Sequence, residues 1–135
     1  MSFTHTIGYT WTNGSGSLSA SIAQTQDNES NFDIVANTSA VNSGVTPVVL
    51  NFGAPTNVKS MYIVSDNPVS LTITITGGTP ATLVLTLVAN TPYLWITGNG
   101  IASPLGSAGT VTGVSISNAS STINPNVKMR FLISA

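Results

Sequence analysis

The stretch that decides the fold is VSLTITIT at residues 69–76, followed after GGTP by ATLVLTLV at residues 81–88. In the first stretch apolar side chains alternate with Ser and Thr without a break, and the second stretch alternates almost as well. This is the period of a β-strand with one buried face. The Gly and Pro between them favour a turn, so the pattern predicts an antiparallel hairpin. Its second face carries mainly Ser and Thr. The face predicted to be buried comprises Val69, Leu71, Ile73, Ile75, Leu83, Leu85 and Leu87.

Similar strand patterns recur about every ten residues along the chain, bounded by Gly, Pro, Asn and Asp, and we find no helical periodicity. This spacing predicts an all-β, single-domain, antiparallel β-sandwich of jelly-roll type. The predicted strands are Thr4–Tyr9, Ser17–Ala23, Phe32–Val35, Pro47–Phe52, Ser60–Ser65, Val69–Thr76, Thr82–Val88, Thr91–Ile96, Thr110–Ser117 and Val127–Ile133.

The chain divides into residues 1–30 and a sandwich domain at residues 31–135. The first thirty residues look less core-like, and the sequence leaves open whether they form an arm that reaches a neighbour or two edge strands. The sequence NGSG, which begins at Asn13, predicts a tight turn within them. Two segments, Ala36–Thr46 and Thr97–Gly109, are predicted to be long loops, and long loops in compact domains are often functional.

Charged residues are scarce and neutral polar residues are abundant. Only 5% of the residues are Asp, Glu, Lys or Arg, against about 25% in a typical globular protein. Ser, Thr and Asn account for 50 of the 135 residues, and the net charge is −1. Such a surface repels its own copies weakly and costs little to desolvate. The composition favours a chain packed into a larger assembly, although a secreted domain with biased composition remains the alternative.

Several function classes are disfavoured by what the sequence lacks. Three basic residues cannot neutralise many phosphates, so we expect no nucleic-acid partner. No apolar run is long enough for a transmembrane helix, and the first residues do not have the pattern of a signal peptide. Cysteine is absent. We therefore expect a protein made in a cytoplasm, with no membrane partner.

No motif predicts catalysis, a cofactor or a metal site. The single histidine, His5, lies near the N-terminus, and its co-occurrence with many serines does not by itself indicate a catalytic triad. Asp27, Glu29 and Asp33 are close in sequence but lack the spacing of a calcium loop, so a polar loop is favoured over a weak cation site. We therefore predict that the protein is not an enzyme, with catalytic, cofactor and metal residues all absent.

Aromatic and apolar residues outside the core pattern are candidates for an interface. Trp95, within TPYLWIT, is assigned to the core or to a subunit interface in preference to a sugar-binding role. Trp11, near the predicted turn, is assigned to an interface. The candidate interface residues are Phe3, Tyr9 and Trp11 in the N-terminal segment and Ile101 and Leu105 in the second long loop.

The C-terminal half has a recurring order of strands and turns. Its matching stretches are MYIVSDNPVSLTITI, ATLVLTLVANTPYLWIT, VTGVSISNASS and VKMRFLISA, within about residues 58–135. In this region the chain resembles small structural proteins of tailed-bacteriophage virions. The resemblance implies a capsid decoration (cement) protein or a related virion component. Such proteins are similar β-sandwiches, often trimers that bind where capsomers meet.

The resemblance rests on fold positions, so no functional residue is carried over from it. It implies a non-enzymatic protein on the capsid surface that stabilises the shell by bridging capsid subunits. Its partners would be the major capsid protein or another virion protein, together with further copies of itself, a trimer being favoured. The alternative is a carbohydrate-binding or adhesin β-sandwich, such as a fibre or surface-layer component.

Overall fold

The protein is described here by a computed structural model that covers residues 1–36, 44–120 and 122–134. Within these ranges the chain forms ten β-strands and one 3-10 turn at Pro55–Asn57. The strands are β1 Phe3–Asn13, β2 Gly16–Gln26, β3 Asn28–Val35, β4 Gly44–Gly53, β5 Val58–Ser65, β6 Val69–Thr76, β7 Thr82–Leu87, β8 Tyr93–Ile96, β9 Thr110–Asn118 and β10 Asn126–Ile133.

Eight of these strands form two four-stranded sheets. Sheet I has the order β3-β10-β5-β8, and sheet II has the order β4-β9-β6-β7. Every neighbouring pair is antiparallel, including β3 with β10, β4 with β9, β5 with β8 and β6 with β7. The chain from β3 to β10 is therefore one long antiparallel ribbon rolled into two layers, which is the jelly roll. The predicted all-β sandwich is confirmed.

The hairpin at the closed end of this ribbon buries the predicted face. Val69 pairs with Leu87, Leu71 with Leu85, and Ile73 with Leu83. The odd-numbered residues of β6 are buried, whereas Thr74 and Thr76 on its other face are exposed. Each apolar side chain buried in this way contributes roughly 1.5–3 kcal/mol. The alternating sequence therefore sets both the pairing and the direction in which the hairpin faces.

The core between the sheets contains three phenylalanines from different strands. The rings of Phe52 and Phe131 have centroids 4.8 Å apart, and those of Phe32 and Phe131 have centroids 6.3 Å apart. At the other end of sheet I, Trp95 is also buried, as predicted for a core residue. Its indole Nε1–H donates to the carbonyl oxygen of Ile101 at 3.2 Å. This bond fastens the second long loop to the sandwich.

The predicted loops need one correction. The first loop was expected to span Ala36–Thr46, but β4 already begins at Gly44, and residues 37–43 lie outside the described ranges. The second loop lies between β8 and β9, as expected. It approaches the turn after β6 closely. A Cβ added at Gly109 would lie only 2.5 Å from the backbone nitrogen of Gly78, so the loop fits there only with glycine.

The N-terminal segment does not form edge strands of the sandwich, and its role as an arm that reaches a neighbour stays a prediction. β1 and β2 pair with each other over their whole length, from Phe3 with Gln26 to Asn13 with Gly16, and form a separate two-stranded sheet. Both strands are longer than predicted. β3 starts at Asn28, so the structural boundary lies just before that residue and not after residue 30. We call β1 and β2 the N-terminal hairpin.

Neighbouring residues on opposite faces of β6 provide a test of this fold. Ile73→Ala should lower the free energy of unfolding by about 2–5 kcal/mol, because it leaves a cavity between the sheets. Thr74→Ala, one residue further on and exposed, should change it by less than about 0.5 kcal/mol. Urea unfolding followed by circular dichroism measures both. Equal effects of the two substitutions would contradict the assigned facing.

Candidate functional site: the N-terminal hairpin

The N-terminal hairpin has two chemically distinct faces, because residues alternate along each strand and directly paired residues share a face. One face, the hydroxyl face, consists of Thr, Ser, Gly and Ala, and on it the Thr4 and Thr25 hydroxyls lie 2.7 Å apart. We call the other face the apolar strip. Its members are Phe3, His5, Ile7, Tyr9 and Trp11 of β1 and Leu18, Ala20, Ile22, Gln24 and Gln26 of β2.

The base of the hairpin covers the outer face of sheet I. Leu132, Ser60 and Ile96 pair in one row across this sheet and alternate with residues of the core, so their side chains point away from the core. They are nevertheless buried. Both hairpin strands contact β10, and β2 also contacts β8. The hairpin base therefore supplies the second layer that buries this row.

A histidine fixes the base in place. His5 Nε2 lies 2.7 Å from Glu29 Oε1, and His5 Nδ1 lies 2.6 Å from Ser60 Oγ. An ionised carboxylate only accepts hydrogen bonds, so Nε2 carries a proton and, in the neutral ring, Nδ1 accepts from the Ser60 hydroxyl. On the other hairpin strand, the Gln24 amide donates to the Thr97 carbonyl oxygen at 3.0 Å.

The carboxyl of Glu29 is adapted to this position. The hydrogen bond from His5 lowers the pKa of Glu29 below its usual value and outweighs burial, which acts in the opposite direction. A hydrogen bond from the Asn31 amide adds a smaller lowering of this pKa. The His5 and Glu29 side chains are 18% and 19% exposed, so water screens the contact only partly. The ionised form of Glu29 therefore helps to hold the hairpin on the sandwich.

The Ser60, His5 and Glu29 side chains follow the order of a nucleophile, base and acid, but their setting is that of a structural contact. Ser60 is only 2% exposed, although it and His5 line a groove beside the hairpin base, and its hydroxyl is engaged with the His5 ring. We assign the three side chains to anchoring the hairpin. The sequence contained no signal for this cluster, since the three residues are far apart along the chain.

The tip of the hairpin extends beyond the sandwich. Past Ile7 and Ile22, the described side chains of both strands are exposed. The apolar strip nevertheless continues, with Trp11 paired to Leu18 and Tyr9 paired to Ala20. Trp11 is 58% exposed and Leu18 is 71% exposed. We call Tyr9, Trp11, Leu18 and Ala20 the tip strip.

A groove runs beside the hairpin base on the outer face of sheet I. It has a volume of about 310 Å³ and lies between β1 and the row formed by Arg130, Tyr62 and Leu94. Tyr62 and Leu94 are exposed in the groove, although the row next to theirs is fully covered by the hairpin. On the outer face of sheet I the hairpin thus covers the row with Leu132, while the next row, with Tyr62, is open, and a third row, with Lys128 and Val64, follows it.

A larger cavity, of about 590 Å³, lies at the far end of the same face. The carboxylate of Asp66 in its lining accepts hydrogen bonds from the backbone and the side chain of Asn126, both at 2.9 Å, and from Asn67. These bonds lower the pKa of Asp66 and join the β5–β6 turn to β10. The Asp66 carboxylate therefore holds two parts of the backbone together.

The acidic residues of the N-terminal half do not converge. Glu29 contacts His5, while Asp33 forms an ion pair with Arg130 at 2.7 Å. Within the described ranges no three His, Cys, Asp or Glu side chains lie close enough to hold a metal ion. The predicted polar loop needs correction, because Glu29 and Asp33 lie on β3.

The five candidate interface residues have different environments. Tyr9 and Trp11 are exposed on the tip strip, and Phe3 is half-buried at the hairpin base. Ile101 is 68% exposed in the second long loop, but Leu105 is fully buried in the core. The Leu105 assignment therefore needs correction, because the loop folds inwards at this residue and leaves none of its side chain for a partner.

No family model, curated protein or solved structure matches the chain. Among the described residues, no helix has the length and apolar character needed to span a membrane.

The contact between His5 and Glu29 predicts a pH dependence. Because the pKa of Glu29 is lower in the folded protein than the usual value of 4.5, the contact stabilises the protein above that value. Its contribution is lost as the pH falls through the lowered pKa. Between pH 6 and pH 3, wild-type protein should lose more unfolding free energy than Glu29→Gln. Parallel pH profiles for the two proteins would show that Glu29 does not anchor the hairpin.

Proposed function

We propose that this chain is a non-enzymatic structural protein of a virion, of the capsid decoration or cement type, which stabilises the shell by bridging capsid subunits. The observation that carries the proposal is the N-terminal hairpin, whose apolar tip strip projects uncovered from a jelly roll. Jelly rolls are frequent among viral capsid and lectin domains. The resemblance of residues 58–135 to virion proteins supports the same choice.

The chemistry of the hairpin suits permanent assembly. Residues 1–26 contain no Asp, Glu, Lys or Arg, so burying the tip requires no desolvation of charged side chains. Its aromatic residues are of the kind that anchor interfaces. Many copies on one particle would reinforce contacts that are individually weak.

The proposed partners are the major capsid protein or another virion protein, together with further copies of this chain. The proposed contacts are made by the tip strip and by Ile101, which is exposed at another part of the surface. The proposed location is the capsid surface, reached after synthesis in the host cytoplasm.

A pair of matched double variants tests this role. Trp11→Ser with Leu18→Ser alters one cross-strand pair on the tip strip, and Thr10→Ala with Ser19→Ala alters the next pair on the hydroxyl face. Particles are purified on density gradients from cells that produce the wild-type chain, the tip-strip variant or the hydroxyl-face variant. The chain is detected in the gradient fractions with antibodies. We expect wild-type protein and the hydroxyl-face variant to sediment with particles. The amount of the tip-strip variant that sediments with particles should be about tenfold lower.

Two outcomes of this experiment would contradict the proposal. Wild-type protein that remains at the top of the gradient is not a virion component. Equal particle association of the tip-strip and hydroxyl-face variants would show that the tip strip makes no essential contact. Circular dichroism of the purified variants establishes that both retain the folded jelly roll.

A carbohydrate-binding or adhesin role is the second candidate, and one observation favours it. Tyr9 and Trp11 lie two residues apart on the same face of β1, and both are exposed. Neighbouring exposed aromatic rings can stack on sugar rings, which present apolar faces.

A glycan array distinguishes this candidate from the virion role. Binding to a defined glycan that is lost in Trp11→Ala but kept in Thr10→Ala would favour the carbohydrate-binding role. The virion proposal predicts no glycan signal above background for any of the three proteins.

A further inference from the structure

The apolar strip of the hairpin is only half used within one chain. Its base half, with Ile7 and Ile22, lies on the sandwich, whereas its tip half is exposed. The outer face of sheet I is also only partly covered, since the row with Leu132 is buried and the next row, with Tyr62, is open. Within one chain, part of the apolar strip already packs on part of the outer face of sheet I. The tip of the strip and the row with Tyr62 are both left uncovered.

The tip cannot reach the open row of its own chain. β1 and β2 stay paired without interruption from the base to the turn at Asn13 and Gly16. Folding the tip back would break this pairing and leave backbone groups unpaired. Contacts from His5 and Gln24 hold the base on the sheet at the same time. The partner of the tip must therefore come from another molecule.

We propose that the tip strip of one copy docks on the outer face of sheet I of a second copy, in the groove beside that copy's own hairpin base. Tyr9, Trp11 and Leu18 would cover Tyr62 and Leu94 of the neighbour. This inference rests on the proposed role of the tip strip as an interface and names its partner, a second copy of this chain. The contact is heterologous, so a few copies can close into a ring.

The dimensions agree with this docking. The tip spans six residues from Gly8 to Asn13 in β1, which is about 20 Å of extended strand. The four strands of sheet I span about 14 Å between the first and the last. One tip is therefore long enough to cross the outer face of one sheet.

The groove also provides hydrogen-bonding groups. Among the described strands β1 pairs only with β2, and residues Thr4 to Ile7 of β1 line the groove. The open edge of β1 can pair with an arriving strand. The charged side chain in the groove lining, Arg130, is already bound to Asp33 and to the Phe32 carbonyl oxygen. The groove and the uncharged tip are thus chemically compatible.

Cysteine cross-linking tests the docking directly, because the natural chain has no cysteine. Ala20→Cys places a thiol on the tip strip, and Thr6→Cys places one at the groove in a second, size-tagged chain. Thr74→Cys is the matched control, since Thr74 is also an exposed threonine but lies on sheet II. The chains are mixed without particles and treated with a flexible bismaleimide.

We expect the Ala20→Cys chain to cross-link about tenfold more to the Thr6→Cys chain than to the Thr74→Cys chain, because docking raises the effective concentration of the two thiols. Adding Trp11→Ser to the Ala20→Cys chain should remove this excess. Equal yields at Thr6 and Thr74 would overturn the proposal. If particles still bound the wild-type chain in that case, the virion role would stand and only the identity of the tip's partner would change.

Discussion

The structure depends on burying one face of every sandwich strand, since this chain has little else to stabilise it. With three basic and four acidic residues it can form few ion pairs, and it has no cysteine for a disulfide. Stability therefore comes from apolar side chains such as Leu71, Ile73 and Phe131 between the two sheets. Backbone pairing satisfies the polar groups that this burial takes out of water. The eight-stranded roll meets both requirements in one core.

The same constraint explains the hairpin and its proposed role. Leu132 and Ile96 face outwards from sheet I and need a second cover, which the hairpin base supplies. The hydrogen bonds of His5 to Glu29 and Ser60 fix this cover in one position. Beyond the base, the strip continues with Trp11 and has nothing to cover in its own chain. A surface that is built like an internal contact but is left exposed suits assembly with further copies.

The sequence predicted the local features well and the tertiary contacts poorly. The period of two in residues 69–76 sets both the facing and the register of β6, because a slip by one residue would expose every apolar side chain. The Ser60, His5 and Glu29 cluster depends on three strands that meet only after folding, and no local pattern encodes it. Leu105 was assigned to the surface because it lies in a Gly- and Pro-containing loop, yet that loop folds into the core. Similarly, the start of β4 at Gly44 follows from its pairing with Asn118 and not from local propensity.

The mass of the protein in solution, measured by light scattering after size exclusion, tests most directly the claim that the hairpin tip joins copies of this chain. Ring closure through the tip strip predicts a single closed oligomer, a trimer being favoured, whose mass is a whole multiple of 13.8 kDa. A variant in which a two-residue Asn-Gly turn replaces residues 8–21, joining the paired residues Ile7 and Ile22, should be a folded monomer. A wild-type protein that stays monomeric at high concentration would contradict the account.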